Sequence, residues 1–132
     1  MCTISASPDK RELEQGKTLS PRYNDDGLIT AVVQDCATGD ILMLAHMNAE
    51  ALEKTITTSK AHFWSRSRQS LWMKGETSGN ILTVREACID CDQDAIVLRV
   101  DLAGSGACHT GEYSCFYRKI VADNDEVLLK RV

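Results

Sequence analysis

The chain has 132 residues, 43% hydrophobic and 26% charged, which is enough for one domain with a core of its own and too little for several. A formal net charge of −4 provides no broad basic surface. That excludes a general nucleic-acid binder but leaves room for a small anionic substrate held by local cations or a metal. The N-terminus, Met1-Cys2-Thr3-Ile4-Ser5, lacks the apolar core of a secretory signal and no apolar run is long enough to span a bilayer, so a cytoplasmic protein with no membrane partner is expected.

Residues 1–26 are polar, hold both prolines (Pro8 and Pro21), and read as a loosely ordered lead-in with one helical turn around Arg11-Glu12-Leu13-Glu14. Residues 27–132 are expected to form the domain. Leu28–Gln34 and Ile41–Met47 are apolar, strand-like runs, with a turn at Asp35–Asp40 between them. A helix is predicted over Ala49–Thr58, with Asn48 as N-cap, Glu50 in the first turn, Met47 and Leu52 as a hydrophobic staple, and Thr55, Thr57 and Thr58 weakening its end. Ala61–Arg68 and Leu71–Glu76 then read as a hairpin, followed by a turn at Thr77–Asn80. Ile81–Ile89 and Ala95–Leu102 are strands that flank an acidic cluster. Ala103–Gly106 is a glycine-rich loop, and Ser114–Ala122 and Glu126–Val132 are two last strands. The pattern is a mostly β, α+β domain with one clear helix.

Six cysteines in a reducing compartment point to metal ligands or inert buried thiols rather than disulfides, and Cys2 and Cys36 carry no pattern. The informative stretch is Asp90-Cys91-Asp92-Gln93-Asp94, followed by Cys108 and Cys115. Carboxylates at alternate positions suit a hard cation such as Mg²⁺. The thiols Cys91, Cys108 and Cys115 suit Zn²⁺ and would leave the fourth position open, as in a catalytic site. If the stretch is extended, Asp90, Asp92 and Asp94 share one face and Cys91 points to the other. A solvated acidic turn is the plainer reading. An EF-hand fails at Ala95, where its loop needs glycine, and at Asp101, where it needs a bidentate glutamate. A closed site of Cys88, Cys91, Cys108 and Cys115 has only one pair at knuckle spacing. His109, next to Cys108, is a candidate base, a further ligand or a structural residue.

These motifs are recognisable together. Ser65-Arg66-Ser67-Arg68, Leu71 to Asn80 (LWMKGETSGN), Asp90 to Asp94, Cys108-His109-Thr110-Gly111 and Ser114-Cys115-Phe116-Tyr117-Arg118 resemble, in order, those of the phosphoribosyl-AMP cyclohydrolase family, from about Gly27 to Ile120. The resemblance implies hydrolytic opening of the adenine ring of 1-(5-phosphoribosyl)-AMP between N1 and C6, the third step of histidine biosynthesis. It also implies a homodimer with zinc shared at the interface, dependence on Zn²⁺ and Mg²⁺, and a β-rich pseudobarrel capped by helix. On this chain the implied zinc thiolates are Cys91, Cys108 and Cys115, and the implied magnesium carboxylates are Asp90, Asp92 and Asp94.

The chemistry is coherent: zinc lowers the pKa of water from about 15.7 towards 7, supplying hydroxide for C6, and His109 is the expected base. Mg²⁺ would gather substrate phosphate oxygens. Arg66, Arg68 and Lys74 are candidate phosphate partners, with Ser78, Gly79 and Asn80 in a turn whose backbone N–H groups face an anion. Trp64, Trp72 and His62 read more readily as core or interface residues than as ligand contacts. Gln93 stands where the family more usually has glycine, which predicts a backbone that avoids φ > 0; His46 stands where an aromatic is usual. The chain ends soon after the last motif, so a single activity is expected. A zinc-stapled dimeric binding module without catalysis is the alternative. A nucleobase deaminase is excluded by the missing His-x-Glu and Pro-Cys-x-x-Cys signature.

Overall fold

The computed structural model describes residues 9–132; Cys2 and Pro8 lie outside them. The first element, α1 (Lys10–Gln15), is the helical turn anticipated around Leu13, capped by the Asp9 side chain, which accepts from the Glu12 N–H. Two apolar runs follow as β1 (Ile29–Asp35) and β2 (Ile41–Met47), paired antiparallel with a shift at Val33/Gln34. Their turn closes through the Asp35 N–H to the Asp40 carbonyl and the Gly39 N–H to the Asp35 carbonyl, with Gly39 at φ 82°.

Helix α2 (Ala49–Thr58) has the predicted bounds, and the Asn48 side chain accepts from the Ala51 N–H. Met47 and Leu52 are both buried, as a staple requires. The threonines that weaken the helix serve its end. Thr55 Oγ1 donates to the Ala51 carbonyl at 2.8 Å and accepts from the His62 N–H at 2.9 Å. The helix is thereby tied to β3 (His62–Ser65), which pairs antiparallel with β4 (Ser70–Met73).

The acidic cluster is flanked by β5 (Leu82–Ile89) and β6 (Ala95–Leu102), again antiparallel. The larger sheet has four strands in the order β2-β1-β6-β5, and its central pair, β1 and β6, is parallel. That register sets Ala31 beside Ile96 and Val33 beside Leu98, all buried, so the apolar alternation of the two strands builds one core face. Leu42, Met47, Leu52, Phe63 and Leu82 complete this core. Trp72 packs against it, its ring centroid 5.2 Å from that of Phe63.

The last pair is β7 (Arg118–Asp123) and β8 (Glu126–Arg131), joined through Asn124 and Asp125, both at positive φ. The final strand pair was expected to begin at Ser114. Instead 114–117 is a loop held to β2, because the Ser114 hydroxyl donates to the Ile41 carbonyl at 2.7 Å and the Cys115 N–H to the Leu42 carbonyl at 2.7 Å. Among the described residues no helix is long and apolar enough to cross a membrane.

Candidate active site

The connection from β5 to β6 is a turn, the plainer of the two readings of the alternating aspartates, and not an extended segment. The Gln93 N–H donates to the Asp90 carbonyl at 3.1 Å. Asp90 Oδ1 accepts the N–H groups of Asp94 at 2.9 Å and Ala95 at 3.1 Å. The turn, not strand alternation, brings Asp90, Asp92 and Asp94 together, with ligand oxygens within 4.8 Å of one another. Among the described residues these are the one group of three or more potential metal ligands so gathered. Side-chain hydrogen bonding to Asp92 and Asp90, then burial and the charges of those two carboxylates, pushes the Asp94 carboxyl up to about 6. Burial pushes Asp90 up as well, but the two amides it accepts bring it net below the usual range. A donor set of this kind fits a hard divalent cation.

Gln93 corrects a second expectation. It adopts φ 60°, the left-handed region that its lack of glycine was read to forbid. For a residue with a Cβ this costs about 1–2 kcal/mol, and the surroundings over-determine it. The side chain is only 5% exposed. Its Oε1 accepts from the Ser20 N–H at 2.7 Å, and its Nε2 donates to the carbonyls of Leu13 at 2.9 Å and Thr18 at 3.3 Å. Nothing in the local sequence signals contacts to residues so far away.

The thiols Cys108 and Cys115 occupy the opposite end of the sheet. Cys108 is buried in a turn closed by the Gly111 N–H to its carbonyl at 3.0 Å, and the Thr110 hydroxyl donates to its sulfur at 2.9 Å. That hydroxyl holds the Cys108 thiol below its ordinary range, whereas burial and then the adjacent Cys108 charge push Cys115 up to about 11. Of the two sulfurs Cys108 is the readier to ionise and Cys115 the more reluctant, and a neighbouring thiol pair of this kind fits a soft metal. The loop is anchored by Tyr113, whose hydroxyl donates to Asp35 Oδ2 at 2.6 Å; sequence reasoning missed this pair. The glycine-rich stretch allows close packing beneath it: a Cβ on Gly104 would strike the Asn80 side chain, and one on Gly106 the Glu112 carbonyl.

Cys91 does not join these two thiols within one chain. Cys115 hangs from Leu42, next to Met43, which pairs with Val33 and so lies at the level of Leu98, whereas Cys91 precedes Ala95. At about 3.3 Å per residue the offset along the sheet is on the order of 10 Å, against roughly 4 Å between sulfurs sharing one zinc at bonds of about 2.3 Å. Cys88 is engaged separately, its sulfur accepting from Arg99 Nη1 at 3.3 Å.

Of the basic candidates, Lys74 lies nearest the thiol pair, its charge acting on both sulfurs and its ammonium 5.9 Å from the Trp72 ring centre. Asn80 packs closely against Gly75, next in the chain to Lys74, and against Gly104. In the Ser78–Asn80 turn the N–H groups of Gly79 and Asn80 already bond to the Gly75 carbonyl and the Ser78 hydroxyl, leaving less backbone to offer an anion than the sequence suggested. Arg66 and Arg68 are exposed in the β3–β4 turn; the Arg66 charge reaches His46, whose pKa is lowered first by burial and then by that guanidinium. His62 has its Nδ1 2.7 Å from the Lys60 carbonyl, a structural role for that nitrogen. His109 is exposed beside Cys108. Two cations went unremarked in sequence: Lys17 lines a cleft with Asp90 and Cys91, and Arg22 lines one with Asp94.

Comparison with known proteins agrees with these motifs. The sequence model of the family described as phosphoribosyl-AMP cyclohydrolase matches residues 43–117. A phosphoribosyl-AMP cyclohydrolase of Chelativorans sp. (strain BNC1) is 56% identical over 124 residues, covering 93% of this chain and 89% of its own. Those of Brucella anthropi, 56% identical over 98% of this chain and 93% of its own, and of Rhodopseudomonas palustris (strain HaA2), 54% identical over 100% and 90%, are equally alike. From the match over both the thiol and the carboxylate motifs, and over nearly the whole length of these relatives, the chain belongs to the phosphoribosyl-AMP cyclohydrolase family of hydrolases.

Proposed function

We propose that the protein hydrolyses 1-(5-phosphoribosyl)-AMP, opening its adenine ring between N1 and C6 in the third step of histidine biosynthesis. The observation that carries this reading is the Cys108–Cys115 thiol pair beside Lys74, in a chain whose relatives bear the name of that activity. In the reaction a water oxygen adds to C6, the C6–N1 bond breaks, and a proton ends on N1. C6 becomes the carboxamide carbon of the formimino product.

Cys108 and Cys115, with Cys91 from a second copy of the chain, are the residues that would hold Zn²⁺; Asp90, Asp92 and Asp94 would hold Mg²⁺. When bound, the zinc lowers the pKa of a water from about 15.7 towards 7 and the magnesium gathers phosphate oxygens. His109, next to Cys108 and open to solvent, is the group to take the water proton and return it to N1. Lys74 balances thiolate charge and orients the anionic substrate, with Arg66 and Arg68 on the β3–β4 turn and Ser78, Gly79 and Asn80 in the turn that follows Lys74 as the further substrate contacts.

The separation of Cys91 from the other two thiols supports a homodimer in which the three share one zinc. The C-terminal hairpin supports it, with Ile120 78%, Val127 73% and Leu129 57% exposed, an apolar face that a second copy would cover. Closure of the β-rich pseudobarrel, capped by α2, belongs to that pairing. The cytoplasm is the compartment that keeps such thiols reduced.

The test follows the ultraviolet absorbance of phosphoribosyl-AMP in the presence of protein, Zn²⁺ and Mg²⁺. The expected result is turnover that Cys108→Ala abolishes and that falls when Mg²⁺ is withheld. A folded, zinc-loaded dimer without turnover would overturn the reading in favour of a non-catalytic zinc-stapled module.

A further inference from the structure

We propose that Gln93 is a positioning residue that latches residues 13–22 onto the carboxylate turn, so that ordering of this segment and cation binding by Asp90, Asp92 and Asp94 reinforce each other; the inference rests on the magnesium reading above. The geometry is two-sided. Towards the segment, the Gln93 carbonyl accepts from the Arg22 N–H at 2.7 Å, its Oε1 from the Ser20 N–H at 2.7 Å, and its Nε2 donates to Leu13 and Thr18. Towards the carboxylates, its N–H closes the turn on Asp90, and its neighbour Asp94 donates its own N–H to Asp90 Oδ1. One residue in the left-handed region therefore fixes both the segment and the directions in which Asp92 and Asp94 leave the backbone.

Glycine would reach φ 60° without strain. The glutamine is held there because its amide makes bonds that glycine lacks, in a site only 5% exposed where water does not replace them. The latch also sets what flanks the cation. Lys17 lines the cleft that holds Asp90 and Cys91, and Arg22 the cleft that holds Asp94; these charges oppose a cation by Coulomb repulsion, so the reinforcement acts through the geometry of the turn and not through charge. Coupling between two events is reciprocal. A cation that favours the observed turn must protect the Ser20 amide, and loss of the latch must weaken the cation.

The experiment uses the full chain, Mg²⁺ alone as the probe, and two variants that tolerate φ > 0 and keep the backbone bond to Arg22 but lose the side-chain bonds to Leu13, Thr18 and Ser20, Gln93→Gly and Gln93→Asn. Calorimetry gives the Mg²⁺ Kd, and NMR-detected hydrogen exchange follows the Ser20 amide with and without Mg²⁺. Weakening of Mg²⁺ binding by about tenfold in both variants is expected. In the unsubstituted protein Mg²⁺ should slow Ser20 exchange; in the variants exchange should be fast and insensitive to Mg²⁺. An unchanged Kd, with only the melting temperature lowered, overturns the proposal and leaves Gln93 a structural residue. Binding of Mg²⁺ by the unsubstituted protein with no effect on Ser20 overturns it equally. Absence of Mg²⁺ binding in the unsubstituted protein is the separate outcome that removes the magnesium reading and the coupling together. The Asn variant keeps the test decisive if the Gly variant does not fold.

Discussion

Asp35, at the end of β1, accepts from the Tyr113 hydroxyl at 2.6 Å and from the Ala37 N–H at 2.8 Å, and the Tyr113 bond is the main cause of its lowered pKa. Tyr113→Phe should therefore destabilise the protein at pH 7 by about 1.5 kcal/mol, the value of a hydrogen bond to a charged acceptor. The sign with pH is fixed by linkage. A depressed carboxylate stabilises above its unfolded pKa of about 3.9 and loses that contribution as pH falls through the folded value. Urea denaturation should thus show the gap between the two proteins at pH 7 and a smaller gap at pH 3. Residue chemistry of this kind divides into what a sequence displays and what it hides. Thiols and carboxylates announce their ligand chemistry wherever they stand, so the candidate ligands were legible. The bonds of Tyr113 to Asp35 and of Gln93 to Leu13, Thr18 and Ser20 join residues 73 or more apart, and no local pattern encodes such a partner.

Elements were legible where their ends carry a physical signal. The bounds of α2 follow from the Asn48 cap, the Met47–Leu52 staple and the change of pattern after Thr58. Removing the cap in Asn48→Ala should lower stability by about 1 kcal/mol. Ser59→Gly should act oppositely, because Ser59 ends the helix at φ 59° and glycine relieves part of that strain. Thermal unfolding of both variants would reveal the opposed shifts. The acidic stretch was left between an extended segment and a turn for the complementary reason. Asp90 to Asp94 continues the alternation of the flanking strands, and the backbone reversal rests on a left-handed glutamine that no turn rule selects. Likewise Ser114 to Tyr117 has strand composition, but hydrogen bonds to Ile41 and Leu42 hold it as a loop.

At the scale of the whole molecule, the α+β class was readable from the strand runs and the one amphipathic helix, while the strand order was not, since the β1–β6 seam joins segments with β2, α2, the β3–β4 hairpin and β5 between them. The exposed β7–β8 hairpin gives the prediction for assembly. Leu129→Lys puts a charge on the face shared with Ile120, its partner across the hairpin, and should weaken the proposed dimer tenfold or more, on the order of 1.4 kcal/mol. Zinc content per chain should fall in parallel, because Cys91 would lose its partners. Sedimentation and metal analysis on the same samples check both; a zinc-loaded monomer would contradict the shared site. The parallel seam has a kinetic consequence as well. Gln34 and Arg99, bonded across it, are 65 residues apart, whereas each antiparallel pair closes over a short turn. Loop-closure entropy makes the seam dearer by about 2 kcal/mol than a hairpin of a few residues, so its formation sets the folding rate. The carboxylate turn lies at one end of that seam and the Asp35 anchor of the thiol loop at the other. Both proposed metal sites would therefore come into being only after the slow step, and stopped-flow refolding should proceed at the same rate with or without Zn²⁺, while unfolding should become slower if the ion binds.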